Sequence, residues 1–303
     1  MSSVGLSVVV PSWNGKEILR AHLPSVLEAV RPLPSAEVVV CDDGSDDGSE
    51  AILAREFPAV RVVRRTRRGG FSHAANDGVA AARGAFVALL NNDMDARPDS
   101  LSQLLHALEA DPGLFAAVPS IVRVATGEEE ARTRIGFRRG VVFASIDGGA
   151  GADPAYACGG AMAFRREEFL RLGGFDPLFA PFYWEDVDLS YRARKRGRRI
   201  ALVPGALVEH DHGRTIGARF ARDEVATVYE RNRLLFTWKN LTEPTLWRRH
   251  VLALPAKALW DVAAHQAFVR GLRDALRLRK EVAARRRIEI AEATVRDREL
   301  LGP

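Results

Sequence analysis

Short apolar runs alternate with helix-like periodic segments over the first two thirds of the chain, which predicts an α/β fold with a mostly parallel central sheet and helices on both faces. The predicted strands span Leu6–Ser12, Glu37–Asp42, Val60–Arg64, Ala85–Leu90, Leu114–Val118, Tyr156–Phe164 and Arg199–Val203. The predicted helices begin near Lys16, Ser49, Ser72, Pro98, Arg166 and Glu185. We expect Pro24 to kink the first helix or to end its regular part.

Two later regions depart from this alternation. Residues 121–155 carry charges, several glycines and little periodicity, and a loop of this length is usually functional or mobile. After Ile216 the pattern is helical almost to the end, with Pro255 as an expected break. We therefore predict two domains, residues 1–213 and a basic helical extension over 214–303.

Composition indicates the size of the core and the cellular location. The 303 residues are 47% hydrophobic, which suffices for one sizeable core. The first apolar run has no basic segment ahead of it, and charged residues interrupt every later run short of the roughly 18 to 20 apolar residues of a membrane-spanning helix. Cys41 and Cys158 lie in apolar stretches, which fits a reducing compartment. We expect a cytoplasmic protein.

Charge is distributed unevenly. The overall net charge of +5 combines about −3 over residues 1–213 with about +8 from residue 214 onward. A basic segment suits nucleic acid or an anionic membrane face, and it also suits a solvated helix surface. The segment from Arg270 to Arg287 is dense in arginine, but no recognised nucleic-acid module accompanies it, so we expect no nucleic-acid partner.

Three carboxylates, Glu185, Asp186 and Asp188, stand at the predicted start of a helix, directly after Phe182-Tyr183-Trp184. The free amide hydrogens and the positive dipole end of a helix keep nearby carboxylates ionised, so we expect a low pKa here, as a general base needs. Asp188 can pair with Arg192 one turn later, which favours a structural role for it.

Acidic and small residues follow the second predicted strand, as Asp42-Asp43-Gly44-Ser45. A carboxylate at the carboxyl end of such a strand can bind a ribose or a base. The same residues also suit a turn that caps the next helix. A calcium loop fails on spacing, because counting from Asp43 puts Ala54 where the bidentate Glu should stand.

The turn after the first strand reads Pro11-Ser12-Trp13-Asn14-Gly15 and lacks the dinucleotide fingerprint G-x-G-x-x-G, so a Rossmann dehydrogenase is disfavoured. Trp13 could stack on a nucleobase or simply pack. A second turn, Gly69-Gly70-Phe71-Ser72, opens a helix that carries Asn76, and such a turn allows close approach of a phosphate-bearing ligand.

Asn91-Asn92-Asp93 follows the fourth predicted strand, where a hard oxygen ligand can hold a divalent ion between two phosphates. Asp95 lies nearby, and we favour a surface role for it. His210 and His212 point to one side of an extended segment, because their side chains are two residues apart. Both are candidate metal ligands, with His210 favoured.

Taken in order, these motifs resemble the large family 2 of inverting glycosyltransferases, which have the GT-A fold. The resemblance runs from about Leu6 to Asn240. It rests on the motifs above together with Cys-Gly-Gly-Ala-Met at 158–162, Gly-Gly-Phe-Asp at 173–176, Trp-Glu-Asp-Val-Asp-Leu-Ser at 184–190, and Tyr229 with Arg-Asn-Arg at 231–233. It implies a Rossmann-like catalytic domain that uses a nucleotide-sugar donor.

The resemblance also implies a role for each matching residue. The donor would be bound by Pro11, Ser12, Trp13, Asp43, Gly70, Phe71, Asn76 and Asn92. Asp93 and His210 would bind Mn²⁺ or Mg²⁺, with the imidazole favouring Mn²⁺. Asp186 would be the catalytic base, with Glu185 beside it. Asn91 stands where an aspartate is common in the family, which bears on how strictly the enzyme needs its metal.

The implied reaction inverts the anomeric configuration, because the acceptor hydroxyl attacks from the face opposite the leaving nucleotide. Rhamnosyltransferases of cell-wall and surface-polysaccharide assembly are among the similar members, so a dTDP-deoxysugar is the first candidate donor and a UDP-sugar the second. The acceptor would be a glycan or a polyprenyl-diphosphate-linked sugar. The basic tail would contact the inner membrane face, form a homodimer or cover the catalytic domain. A non-catalytic nucleotide-sugar binder and a membrane-associated scaffold are the alternatives.

Overall fold

A computed structural model describes residues 5–33, 35–146, 153–211, 220–263 and 266–302, with the side chains of 261–263 excepted. Its ten strands in these ranges are β1 (Leu6–Ser12), β2 (Ala36–Asp42), β3 (Arg61–Arg64), β4 (Phe86–Leu90), β5 (Met94–Ala96), β6 (Leu114–Arg123), β7 (Thr133–Arg138), β8 (Val141–Ile146), β9 (Ala161–Arg165) and β10 (Arg199–His210).

The helices in the same ranges are α1 (Lys16–Val30), α2 (Ser49–Glu56), α3 (Phe71–Ala81), α4 (Ser100–Ala110), α5 (Arg166–Arg171), α6 (Glu185–Lys195), α7 (Arg222–Asn240), α8 (Pro244–Ala263), α9 (Ala267–Arg277), α10 (Arg279–Glu292) and α11 (Asp297–Leu301), with a short 3₁₀ helix at Pro177–Phe179. All six predicted helix starts agree with these to within two residues.

Eight strands form one sheet in the order β3-β2-β1-β4-β9-β6-β10-β5, and β7 pairs with β8 in a separate hairpin. The pairs β3/β2, β2/β1, β1/β4 and β6/β10 are parallel, whereas β9 runs antiparallel to both of its neighbours and β5 antiparallel to β10. This confirms the predicted α/β fold. Because β1, β2 and β4 are parallel, the polar residues that follow them meet at one edge of the sheet.

The structure corrects several local predictions. Helices α1 and α8 continue through Pro24 and Pro255, so neither proline ends its helix, and the alternative of a kink at Pro24 stays a prediction. The region expected to lack periodicity contains the end of β6 and the β7–β8 hairpin. Arg139 and Gly140 form the hairpin turn, both with positive φ, which is the geometry of a tight two-residue hairpin loop. The Arg-Gly pair between two apolar runs is the sequence feature from which this hairpin could have been predicted.

The C-terminal helices pack against the α/β portion rather than standing apart. A second apolar core joins the β7–β8 hairpin and α6 to helices α7 to α11, with buried Trp184, Tyr191 and Phe236 among its members. The ion pair of Lys195 on α6 with Asp297 on α11 is buried, at 2.7 Å. The expected boundary at 213/214 lies outside the described residues. None of the helices within the described ranges is long and apolar enough to cross a bilayer.

Candidate active site

A cleft of about 290 Å³ opens at the edge of the sheet where β1, β2 and β4 end. Ten of the twelve residues singled out from the sequence line it, namely Pro11, Ser12, Trp13, Asp43, Gly70, Phe71, Asn92, Asp93, Glu185 and Asp186. Asn91, Arg68, Tyr183 and Phe220 also line the cleft. The two exceptions are His210, which lies behind Asp93, and Asn76.

Asp43 holds the glycine turn in place. Its carboxylate accepts hydrogen bonds from the backbone N–H of Gly69 at 2.9 Å and of Gly70 at 2.7 Å, and it pairs with Arg65 at 2.8 Å. Asp43 is only 3% exposed. The carboxylate therefore orders the loop on one side of the cleft, in addition to any contact with a ligand.

The floor of the cleft is built by Ser12 and Asn92, whose side chains are joined by a hydrogen bond of 2.9 Å from Asn92 Nδ2 to Ser12 Oγ. Trp13 lies beside them. The guanidinium of Arg68 sits 3.5 Å from the centre of the Trp13 ring, a cation–π contact inside the cleft. The cleft therefore contains an aromatic ring and a guanidinium stacked on it.

Asn76 lies outside the cleft lining. Its side chain bridges the backbone of Phe175, donating to the carbonyl oxygen at 2.7 Å and accepting from the N–H at 2.9 Å. This contact fixes helix α3 against the segment before α6. The structure gives Asn76 a structural position, and its sequence-based assignment to donor binding has no support in this geometry.

Asp93 and His210 come together because β5 pairs with β10, with His210 opposite Met94 in the register. The Nε2 atom of His210 lies 3.5 Å from an Asp93 carboxylate oxygen. Glu130 lies behind them and is 2.9 Å from His210 Nδ1. A carboxylate that accepts from Nδ1–H leaves Nε2 as the ligand atom, which is the usual arrangement around a metal-bound histidine.

Asp93 and His210 are two candidate ligands for a divalent ion. Within the part of the chain that the structure describes, no three His, Cys, Asp or Glu side chains form a complete metal site. One carboxylate and one oriented imidazole fit an ion that draws its other ligands from diphosphate oxygens. His212 lies outside the described residues, and Asp95 contacts His22 at 2.9 Å, away from the cleft lining.

Asp186 stands at the first turn of α6, opposite a glycine turn. One of its oxygens accepts from the backbone N–H of Gly159 at 3.0 Å, and the other accepts from that of Val187 at 2.8 Å. A Cβ on Gly159 would lie 3.1 Å from the Cβ of Asp186, so a glycine permits this close approach. Both contacts hold the carboxylate in a fixed orientation at the cleft wall.

The expectation of a low pKa for the carboxylate pair is wrong. Burial raises the pKa of Asp186 despite its two backbone hydrogen bonds. Burial and the charge of Asp186 raise the pKa of Glu185, one of whose buried oxygens has no hydrogen-bond partner among the described residues. The helix N-terminus is outweighed because Glu185 is buried and Asp186 is half-buried at the cleft wall. Asp188 behaves differently, since Arg192 at 2.7 Å confirms its structural pairing and Lys239 at 2.9 Å adds to it.

Comparison with known proteins assigns the chain to a family. The family model "Glycosyl transferase family 2" matches residues 7–173. The chain belongs to glycosyl transferase family 2. The family model ends at residue 173, before the carboxylate pair Glu185 and Asp186.

Among curated relatives, the chain is 30% identical over 215 residues to the pre-mycofactocin glycosyltransferase of Mycobacterium tuberculosis, over 68% of this chain and 43% of that protein. The chain thus spans less than half the length of that relative. Two solved structures share the fold. GalNAc-T7 with UDP, GalNAc and Mn²⁺ matches with a TM-score of 0.62 at 18% identity, over 87% of this chain and 58% of that one. The mannosyltransferase PcManGT from Pyrobaculum calidifontis with GDP-Man and Mn²⁺ matches with a TM-score of 0.56 at 20% identity, over 95% and 83%.

Sequence reasoning assigned no place at this cleft to three residues that line it or pack against its walls. Glu130 lies in the segment judged to lack periodicity, Arg68 is one of four arginines just before the glycine turn, and Asn232 lies on α7. The side-chain amide of Asn232 donates to the carbonyl oxygens of Phe179, Phe182 and Tyr183 at 2.6 to 2.9 Å. Asn232 was part of the family resemblance, but no spacing rule linked it to the cleft.

Proposed function

We propose that this chain is an inverting glycosyltransferase that moves a sugar from a nucleoside diphosphate donor to an acceptor hydroxyl. The observation that carries the proposal is the meeting, in one cleft, of a candidate base, Asp186, with a candidate diphosphate site at Asp93. A donor bound between them would present its anomeric carbon to an acceptor held near Asp186.

Asp186 acts as the general base in this proposal. It accepts the proton of the acceptor hydroxyl while that oxygen forms a bond to the anomeric carbon, and the bond from that carbon to the diphosphate oxygen breaks. The raised pKa of Asp186 makes it a stronger base than a solvated aspartate, provided the pH is high enough to ionise it. Glu185, with its raised pKa, stays protonated beside Asp186, so the negative charge of the pair remains on Asp186.

Asp93 and His210 would hold Mn²⁺ or Mg²⁺, with Glu130 orienting the imidazole. A bound divalent ion would stabilise the negative charge that develops on the departing diphosphate. Ser12, Trp13, Asn92 and the Gly70-Phe71 turn would bind the nucleotide. Arg68 would supply a further positive charge to the donor, once it leaves the face of Trp13.

The donor and acceptor are proposed from the resemblance of residues 184–190 and 231–233 to rhamnosyltransferases. We propose a dTDP-deoxysugar such as dTDP-rhamnose as the first donor to test and a UDP-sugar as the second. The acceptor is a hydroxyl of a glycan or of a polyprenyl-diphosphate-linked sugar in cell-wall or surface-polysaccharide assembly. The protein would work in the cytoplasm at the inner face of the membrane.

A donor screen tests this function. The purified chain is incubated with Mn²⁺ and with dTDP-, UDP- and GDP-sugars in turn, and release of the nucleoside diphosphate is measured. We expect release from one nucleotide class, dependent on the metal. Nucleotide binding without release from any donor, even when lipid-linked and glycan acceptors are added, would favour a non-catalytic nucleotide-sugar binder.

A further inference from the structure

A second groove, of about 700 Å³, lies between the β7–β8 hairpin and helix α8 and shares no lining residue with the cleft. Its walls combine apolar and basic side chains. Phe143 and Trp260 are among the apolar members, and Arg138, Arg139 and Lys257 are among the basic ones. None of the described residues that line the groove is acidic.

The groove is a built feature because the hairpin tip is locked onto α8. The buried His250 donates from Nδ1 to the carbonyl oxygen of Gly140 at 2.7 Å, and its Nε2 accepts from the indole N–H of Trp238 at 2.9 Å. Burial lowers the pKa of His250, so it stays neutral and keeps both bonds. A Cβ on Gly140 would lie 2.2 Å from Ala253, which shows how closely the two elements pack.

The outer surface of α8 beside the groove is apolar. Between Val251 and Trp260, Lys257 is the one charged residue in the sequence. Leu252 is 77% exposed, Leu259 76% and Trp260 69%. Large apolar side chains that cluster in the open, next to basic groups, mark a surface that contacts something other than water.

We propose that this groove binds the phosphate-bearing headgroup of an anionic membrane lipid, while the outer apolar residues of α8 enter the lipid interface. Arg138, Arg139 and Lys257 would contact the phosphate, and Leu252, Leu259 and Trp260 would contact the acyl region. One lipid would then neutralise the basic residues of the groove and cover the exposed apolar residues of α8.

Two other occupants fit less of this surface. A second copy of the chain in a symmetric dimer would bring the same basic patch against itself, which repels. A nucleic acid would satisfy the basic residues but leave Leu252, Leu259 and Trp260 in water.

The groove lies close to the cleft through a short chain of contacts. The hydroxyl of Tyr229 on α7 donates to the carbonyl oxygen of Ala144 in the groove wall at 3.4 Å. The Tyr229 ring lies 6.1 Å from that of Tyr183, which lines the cleft. A lipid in the groove would thus set the cleft near the membrane surface. This inference rests on the membrane position in the proposed function, and it does not rest on the transfer chemistry.

Vesicle sedimentation tests the inference. The full chain is mixed with vesicles of phosphatidylglycerol or of phosphatidylcholine, and we expect binding to the anionic vesicles alone. Arg138→Glu/Arg139→Glu should weaken that binding about tenfold or more. The control Arg31→Glu/Arg55→Glu makes the same change in net charge directly after α1 and on α2, and it should bind like wild type. Equal loss in both double variants, or no loss in the first, would overturn the proposed site.

The apolar contact is tested separately with Leu252→Ser/Leu259→Ser, two exposed positions where loss of folding is not expected. We predict weaker vesicle binding with unchanged donor hydrolysis in the absence of vesicles, so failure here is distinguishable from failure of the transferase proposal. Displacement of the protein from vesicles by low-millimolar inorganic diphosphate would instead indicate a free-phosphate site. A concentration-dependent dimer that this variant abolishes would indicate a second copy, and either result would overturn the lipid proposal.

Discussion

Glu185 and Asp186 are adjacent in sequence and share the wall of the cleft, where Glu185 is buried and Asp186 half-buried, so they compete for one negative charge. Asp186 has two backbone N–H donors, whereas one oxygen of Glu185 lacks any within the described residues. When two such carboxyl groups interact, the one with more hydrogen-bond donors carries the negative charge, and the two groups titrate as a coupled pair. Asp186 is therefore the member of the pair that is ready to accept a proton.

The pH dependence of transfer follows from this competition. Burial raises the pKa of the base, so the ionised fraction falls as the pH is lowered, and the rate should fall with it at a pH above the value of about 3.9 for a solvated aspartate. Glu185→Gln, which replaces a protonated carboxyl group by a neutral amide of the same shape, should leave this acidic limb in place, because the charge of the pair already lies on Asp186. A pH–rate profile of both proteins checks this, and an acidic limb that moves to lower pH in the variant would show that Glu185 carries the charge instead.

A second prediction for a single residue concerns Glu130, which orients the His210 imidazole in the proposed function. Glu130→Gln should raise the Mn²⁺ concentration for half-maximal activity about 10-fold or more, because the imidazole loses its carboxylate partner. The matched control is Glu129→Gln, which removes the neighbouring, half-buried carboxylate that pairs with Arg132. Equal metal dependence in the two variants would show that Glu130 does not orient a ligand.

At the scale of elements, the turn before α6 governs the site. Tyr183 and Trp184 both have positive φ, at 69° and 77°, a strained conformation for non-glycine residues. Asn232 on α7 holds the turn through three carbonyl oxygens, and Trp184 packs against Phe236 on the same helix with ring centres 5.1 Å apart. The C-terminal helices thus shape the wall of the cleft.

The sequence predicted the parts of the site that follow from local order. Asp43, Asn92 and Asp93 follow closely after parallel strands, and the carboxyl ends of such strands meet at one edge of the sheet regardless of the loop sequences. The support from Asn232 and Glu130 was not predictable, because it depends on how distant segments pack. The pKa of Asp186 was missed for the same reason, since its burial is set by the whole cleft.

Asn232→Ala should leave buried carbonyl oxygens without a donor and lower the free energy of unfolding by about 1–3 kcal/mol. The rate of transfer should fall further than this loss of stability explains, because the turn before Glu185 relaxes. Thr237→Val is a matched control, since it removes a buried hydrogen bond on the same helix without touching the turn. Full activity of folded Asn232→Ala would contradict a positioning role.

At the scale of the whole molecule, buried charges link the α/β portion to the C-terminal helices. Asp297 on α11 is fully buried and accepts from Lys195 Nζ at 2.7 Å, from the Tyr191 hydroxyl at 2.8 Å and from the backbone N–H of Thr242 at 2.6 Å. Asp176 accepts from Lys239 at 2.8 Å and from Arg285 at 2.9 Å. The two portions should therefore unfold together.

Asp297→Ala tests this coupling. It would leave the Lys195 ammonium buried without its partner, which costs about 3–5 kcal/mol. We expect a single unfolding transition by calorimetry in wild type, moved to lower temperature in the variant. Two separate transitions, with the first alone moved, would show that the C-terminal helices unfold independently.

Donor turnover in the Asp186→Asn variant is the most direct test of the central claim. Asparagine keeps the shape of the side chain but cannot accept the proton, so we expect nucleotide binding to persist and transfer to fall about 100-fold or more. Asp111→Asn, the same change outside the cleft, should behave like wild type. Undiminished transfer by Asp186→Asn would contradict the assignment of Asp186 as the base.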